Sequence, residues 1–317
     1  LIPILDERTV ASVLDEPVAF ALARRAFRLI AEGKTGMPPK IYLTLPDGDD
    51  FRAMPAFFRS GRVGGCGVKW VSVFPGNPSR GLPTVIGTVL LNSPKTGELL
   101  AVVAANTITA LRTAASAAVA THYLASKNPR TLAIVGAGLQ ATYQLRALLS
   151  RHRYERVRVW GFGRGEAARF CARHARPGTV FEASPDVRSC VTAADVIVTC
   201  TPSRRPLVRR AWVRPGAHIN AIGADAHGKE ELEPALVRAA KVVVDEWEQA
   251  VHSGEINVPV SRGLFTRRHL HADLAEVVSG RKPGRTRADE ITIFDSTGLA
   301  VLDIVFARHV FEATQRR

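Results

Sequence analysis

Five charged residues stand in apolar surroundings in this 317-residue chain: Lys40 in MPPKIYL, Arg52 in FRAMPAF, Lys69 in GVKWVSVFP, Arg112 in TALRTAA and Asp225 in IGADAHGKEEL. Each alone reads as a solvated edge or a salt bridge. Lys69 resists that reading most, because Val68, Trp70, Val71, Val73 and Phe74 make its stretch a strand built for burial. A buried ammonium costs free energy unless an anion neutralises it. Arg112 falls early in a helical stretch, whose first-turn N–H groups already favour an anion. Asp225 follows the strand-like HINAIG, and the carboxyl end of a parallel strand is where open α/β sheets place their ligands.

A second kind of chemistry is written in TLAIVGAGLQA. Gly136, Gly138 and Ala141 follow a buried strand and open a helix, the context a G-x-G-x-x-G/A dinucleotide fingerprint requires. In such a unit an acid closing the next strand holds the adenine ribose hydroxyls. Here RVRVW exits through Gly161, Phe162, Gly163 and Arg164 with no acid at that point. A glycine with Arg164 beside it admits a 2′-phosphate, which favours NADP over NAD.

The elements that must carry these residues change rhythm along the chain. Residues 5–32 have apolar positions at helical spacing, and short β-rich runs follow: IYLTL, GVKWVSVFP, TVIGTVLLN and ELLAVVAA. They predict an α+β region with a largely antiparallel sheet. TITALRTAASAAVATHYLA is a small-residue helix suited to close packing, and Arg112, Thr113 and His122 argue against its spanning a membrane. After Asn128 and Pro129 apolar strands alternate with helices (TLAIV, RVRVW, DVIVTC, HINAIG, KVVVD), which predicts a parallel sheet covered on both faces. The fold class expected is therefore α/β, a doubly wound Rossmann sheet plus an α+β domain, with the last strand and helix returning to the first domain.

Composition narrows the classes further. A mean hydropathy of +0.02 with 46% apolar residues fits a globular chain. The net charge of +14 comes from eight lysines and 35 arginines spread over nearly every segment. That describes a basic surface attractive to anionic cofactors rather than a nucleic-acid tract. The opening LIPIL lacks the basic flank and apolar length of a secretory signal. Cys66, Cys171, Cys190 and Cys200 show no C-x-x-C spacing, which favours a reducing, cytoplasmic setting and assigns no metal.

Taken together, MPPK, AMPAF, GVKWVSVFPGNPSRGLPT, ITALRTAA, IVGAGLQA, INAIGADAHGKEEL, EQAVHSGEINVPVS and TIFDSTGLAVLD resemble the ornithine cyclodeaminase/mu-crystallin family over nearly the whole chain. The look is nearest to its branch of archaeal-type alanine dehydrogenases. The resemblance implies a homodimer, with a substrate-binding and dimerisation domain over 1–125 and 292–317 and a Rossmann domain over 126–291. It implies an NAD(P)-dependent oxidoreductase acting reversibly on the C–N bond of an L-amino acid, giving a 2-oxo acid and ammonia through an imine. Ornithine cyclodeamination and cyclic imine reduction are the alternatives within the family. A mu-crystallin-like protein that binds NADPH and small ligands is the alternative of another class.

The family's catalytic lysine falls on Lys69, its carboxylate-binding arginine on Arg112 and its active-site aspartate on Asp225. Lys40 stands where an arginine usually follows the Pro-Pro pair, replacing a planar fork with a point charge. Arg52 stands where cyclodeaminases carry a glutamate, so the acid suited to a diamino substrate is missing. The implied cofactor contacts are Thr113, Gly136, Gly138, Leu139, Gln140, Arg164, Thr201 and Ser296. On this reading Lys69, Arg112 and Lys40 add their charges, and a substrate carboxylate supplies the missing anion.

Overall fold

In the computed structural model, which describes residues 1–61 and 63–316, the chain forms two compact units, Leu1–Arg112 with Leu299–Arg317, and Thr113–Gly298. The helix Asn106–Leu124 therefore starts in the first unit and ends in the second, whereas sequence rhythm alone puts all of it in the first.

Among the described residues the first unit holds one sheet of seven strands. They are β1 (Ile4–Leu5), β2 (Thr35–Gly36), β3 (Ile41–Thr44), β4 (Asp50–Ser60), β5 (Val63–Val73), β6 (Val85–Asn92) and β7 (Leu99–Ala104). The order is β1-β7-β6-β5-β4-β2, with β3 also on β4, and every pairing but β1 with β7 is antiparallel. β4 is a strand that sequence patterning misses, because Pro55 sits in its middle. Proline cannot donate to a ladder. Here β3 covers residues 50–53 and β2 covers 57–58, so Pro55 falls in the gap between them.

Register divides this sheet into two faces. Met54, Lys69 and Val89 lie abreast on the inner face, and Ala53, Trp70 and Thr88 on the outer one. Against the inner face pack the helices Glu16–Ala31 and Ala300–Gln315. The helical run expected over 5–32 is in fact two helices, Glu7–Ala11 and Glu16–Ala31. Asp15 starts the second by accepting from the Val18 N–H, with a proline in the first turn. Gly65 and Gly67 clear a bed for the C-terminal helix: a Cβ on either would come within 3.1 to 3.2 Å of Ile304. That close seat brings the next residue back along the helix, Asp303, to Lys69.

The second unit is a parallel, doubly wound sheet. Its strands are β8 (Thr131–Val135), β9 (Arg156–Trp160), β10 (Val180–Ala183), β11 (Val196–Thr199), β13 (His218–Ala221), β15 (Lys241–Val244), β16 (Leu270–Asp273) and β17 (Thr292–Asp295). Two more, β12 (Arg204–Val208) and β14 (Glu230–Leu232), pair only with each other. The main order is β10-β9-β8-β11-β13-β17-β15-β16, parallel throughout. Strand order reverses between β8 and β11, the point where such sheets open a ligand crevice at their carboxyl ends.

Candidate functional site

In the first unit the buried lysine has a partner that the sequence did not reveal. Lys69 Nζ lies 2.8 Å from Asp303 Oδ2 and 3.5 Å from Thr109 Oγ1, and Arg112 Nε donates to Asp303 Oδ1 at 3.1 Å. All three charged groups are buried. Two cations meet at one carboxylate, and the Lys40 charge also acts on Lys69. Burial, opposed by Asp303 and reinforced by Arg112 and Lys40, pushes the Lys69 ammonium down to about 7. The anion expected to come from a ligand is thus supplied in part by the chain's own C-terminal helix. Arg52 is buried as well, but its fork is bound to Asp50 at 2.7 and 3.0 Å and its guanidinium lies over the Tyr42 ring.

In the second unit the glycine loop leaves β8 at the strand-order reversal. Gly136 has φ +115, and a Cβ there would sit 3.0 Å from the Cys200 carbonyl oxygen, so only glycine fits between β8 and the end of β11. Gly138 is different: its φ is −86, and a Cβ there would meet nothing within 4 Å. The protein itself does not require glycine at 138, whereas a ligand lying close against the backbone does. The helix Leu139–Leu149 begins at Gly138 with no side-chain cap, so its first N–H groups face outward as an anion seat. Beside them Leu139 is exposed, and Gln140 Oε1 is buried without a hydrogen-bond partner among the described residues. These features fit a dinucleotide pyrophosphate.

The remaining candidates belong to the same unit, most of them just past strand ends. Thr201, just past β11, is buried and gives both its N–H and its hydroxyl to Glu231 Oε1 at 2.7 Å. Ser296, just past β17, is buried and donates its N–H to the Ala221 carbonyl at 3.0 Å. Asp225 stands on a loop after β13, paired through Oδ1 with Lys229 Nζ at 2.6 Å. Thr113, the unit's first residue, is buried in the helix Asn106–Leu124. Arg164 is exposed in the turn after β9. That turn also holds an acid that the sequence reading passed over. Glu166 folds back to accept the Gly163 N–H at 3.0 Å and fills the space that side chains on Gly161 and Gly163 would need.

The structure thus gathers Lys69 and Arg112 on Asp303 in one unit, with the Lys40 charge acting on Lys69, and sets the glycine loop and Asp225 after strands of the other. Asp303 was hidden because one acid in AVLDIVFA, 191 residues from Arg112, reads as a solvated helix position.

A Rossmann sheet with an open glycine cradle, joined to a smaller sheet unit with a buried cationic centre, defines a two-unit protein of the nucleotide-dependent type. The chain belongs to the ornithine cyclodeaminase/mu-crystallin family, whose sequence profile matches residues 9–317. It is 45% identical over 309 residues to the alanine dehydrogenase of Archaeoglobus fulgidus, covering 98% of this chain and 94% of that one. Its fold superposes on an archaeal alanine dehydrogenase dimer with bound NAD at a TM-score of 0.95, with 43% identity over 99% of this chain and 96% of the other. It superposes equally well on the Δ1-pyrroline-2-carboxylate reductase of Thermococcus litoralis in complex with NADH and L-proline: TM-score 0.95, 33% identity, coverage 99% and 98%.

Proposed function

We propose that the chain is an NAD(P)-dependent oxidoreductase acting on the C–N bond of a small L-amino acid, alanine dehydrogenase-like, forming a 2-oxo acid and ammonia reversibly. The observation that carries this reading is the buried Lys69–Asp303–Arg112 cluster, two cations on one carboxylate, which suits it as a seat for the carboxylate of a small substrate. Arg112 and Lys69 hold that carboxylate, with Lys40 adding charge, and so orient the α-carbon. The bound nicotinamide supplies the hydride acceptor, or the donor in the reverse direction. Asp225, paired with Lys229, holds the water that adds to the substrate imine and takes its proton. Lys69, with its proton loosened by burial, carries a proton to or from the substrate nitrogen.

Ring closure of a diamino acid is disfavoured, because Arg52 and its bound Asp50 stand where that chemistry needs a free acid. Reduction of a cyclic imine asks for the same carboxylate seat, and the Thermococcus litoralis relative, which holds L-proline, favours it as the second reading. For the cofactor, Arg164 supports the 2′-phosphate form and Glu166 opposes it, so NADPH is expected to bind no more than about tenfold tighter than NADH.

The outer face of the small sheet supports a homodimer, since Ile41, Leu43, Phe57, Trp70, Ile86 and Leu90 are all exposed on it. No described helix is long and apolar enough to cross a membrane, and the four cysteines are free thiols, which supports a cytoplasmic setting.

The test is a panel of amino acids, and of oxo acids with ammonia, scored by absorbance of the reduced cofactor with each nucleotide. Asp225→Asn should lower kcat by about two orders of magnitude while cofactor affinity stays unchanged. No turnover anywhere, with tight NADPH binding, would replace the enzyme reading with that of a binding protein.

A further inference from the structure

The stretch EQAVHSGEINVPVS has no part in the chemistry above, yet its centre is among the most tightly bonded places in the second unit. Asp295, at the end of β17, accepts the Glu255 N–H at 2.8 Å and the Ile256 N–H at 3.1 Å. A Cβ at position 254 would lie 2.5 Å from Asp295 Oδ2, so Gly254 is what lets the carboxylate in. Glu255 Oε1 in turn accepts the N–H groups of Glu231 and Leu232 at 2.8 and 2.6 Å. Glu231 then accepts from Thr201 and from the Gly223 N–H, the latter at 2.9 Å. Three buried carboxylates thus form a ladder, each gripping backbone N–H groups of the next segment, from the end of β17 to the ends of β11 and β13.

Asn257 hangs from this ladder and reaches the loop that carries Asp225. Its Oδ1 accepts the Gly228 N–H at 2.9 Å, while its Nδ2 donates to the Lys229 and Gly254 carbonyls at 2.8 and 2.6 Å. Between Gly223 and Lys229 the loop has no helix or strand; besides turn bonds such as Lys229 N–H to the Ala226 carbonyl and the Lys229–Asp225 pair, its backbone is gripped from other segments at Gly223, His227, Gly228 and Lys229. Its conformation is therefore set largely from outside. Lys229, whose backbone Asn257 grips, is the residue whose ammonium pairs with Asp225. A buried amide with two donors and one acceptor all engaged has little freedom to move.

We propose that Asn257 is a positioning residue for Asp225: anchored on the Asp295–Glu255–Glu231 ladder, it fixes the backbone from which Lys229 orients the Asp225 carboxylate. This rests on Asp225 taking part in the reaction.

The decisive variant is Asn257→Asp, which keeps size and the acceptor for Gly228 but loses both donors and turns a carboxylate toward two carbonyls. Amide hydrogen exchange of residues 223–229 should rise tenfold or more, with the parallel strands unchanged. The kcat should fall tenfold or more, with cofactor affinity within twofold of wild type. In an Asp225→Asn background the same change should cost no more than a further twofold, because a misplaced asparagine has no charge to misdirect. Unchanged exchange in the loop, or a lower melting temperature with kcat per folded molecule intact, would overturn the proposal. If Asn257→Asp fails to fold, Asn257→Ser, which removes the side-chain bridge without adding charge, is read by the same exchange. Should Asp225→Asn itself prove fully active, the role given to Asp225 falls, while raised loop exchange in Asn257→Asp would still uphold the clamp.

Discussion

The two units bury charge in opposite ways. In the first, two cations, Lys69 and Arg112, converge on the one Asp303 carboxylate. In the second, Glu231, Glu255 and Asp295 lie close together and accept from backbone N–H groups and the Thr201 hydroxyl, with Glu255 Oε2 left without a hydrogen-bond partner among the described residues. Burial pushes Glu231 up to about 7 and Asp295 up to about 8. Burial, with Glu231 and Asp295 nearby, holds Glu255 well above the ordinary carboxylate range. A group meant to meet a ligand's charge must stay charged and under-neutralised. A group that holds loops can instead turn its oxygens to the main chain, where N–H donors rather than a counter-ion offset its burial.

The sharpest way to break this comparison is to make the same acid-to-amide change in both units. Asp303→Asn leaves two buried cations without their anion and should cost about 3 to 5 kcal/mol of stability, read from the denaturant midpoint. A change of less than about 1 kcal/mol would mean that the first cluster is already balanced by other groups.

A smaller effect, with opposite signs in the two units, is expected from pH. Glu231 and Asp295 have raised folded pKa values, so the stability they contribute is full below about 4, where both states are protonated. It is lost as pH rises through 7 and 8. Lys69 is lowered to about 7 from 10.5, so its unfavourable contribution is full below 7 and disappears as pH climbs toward 10.5. Hydrogen exchange resolved by unit across pH 5 to 10 measures both trends; parallel trends would refute the contrast. The smallest effect is expected from Glu255→Gln. Glutamine keeps the side chain's size and an oxygen that accepts from the Glu231 and Leu232 N–H groups, so the change should stay under about 1 kcal/mol.

What could be read from the sequence follows from the same contrast. Lys69 was conspicuous because charge in an apolar strand breaks its period, and the glycine loop because its spacing is local. Asp303 and the ladder were not, since a carboxylate's burial is decided by segments far away in the chain. Glu231, Glu255 and Asp295 lie in stretches that carried the family likeness, yet nothing local separates a solvated glutamate from one clamped on N–H groups. β4 was lost to Pro55, whose tolerance depends on where two short neighbouring strands stop. Glu166 was lost because the acid sought at a strand end reaches it from a helix start instead.

The outer face of the small sheet has a consequence of another kind. Trp70 stacks on Phe51 at the centre of an apolar strip that water meets in a lone copy. Were a second copy to cover that strip, as proposed above, the folding of the unit would be a matter of mass action, and each tenfold dilution would withdraw about 1.4 kcal/mol of association free energy per dimer. The indole, moving from a dry to a wet setting as copies part, is then a built-in gauge of how much protein a cell must hold for the molecule to last.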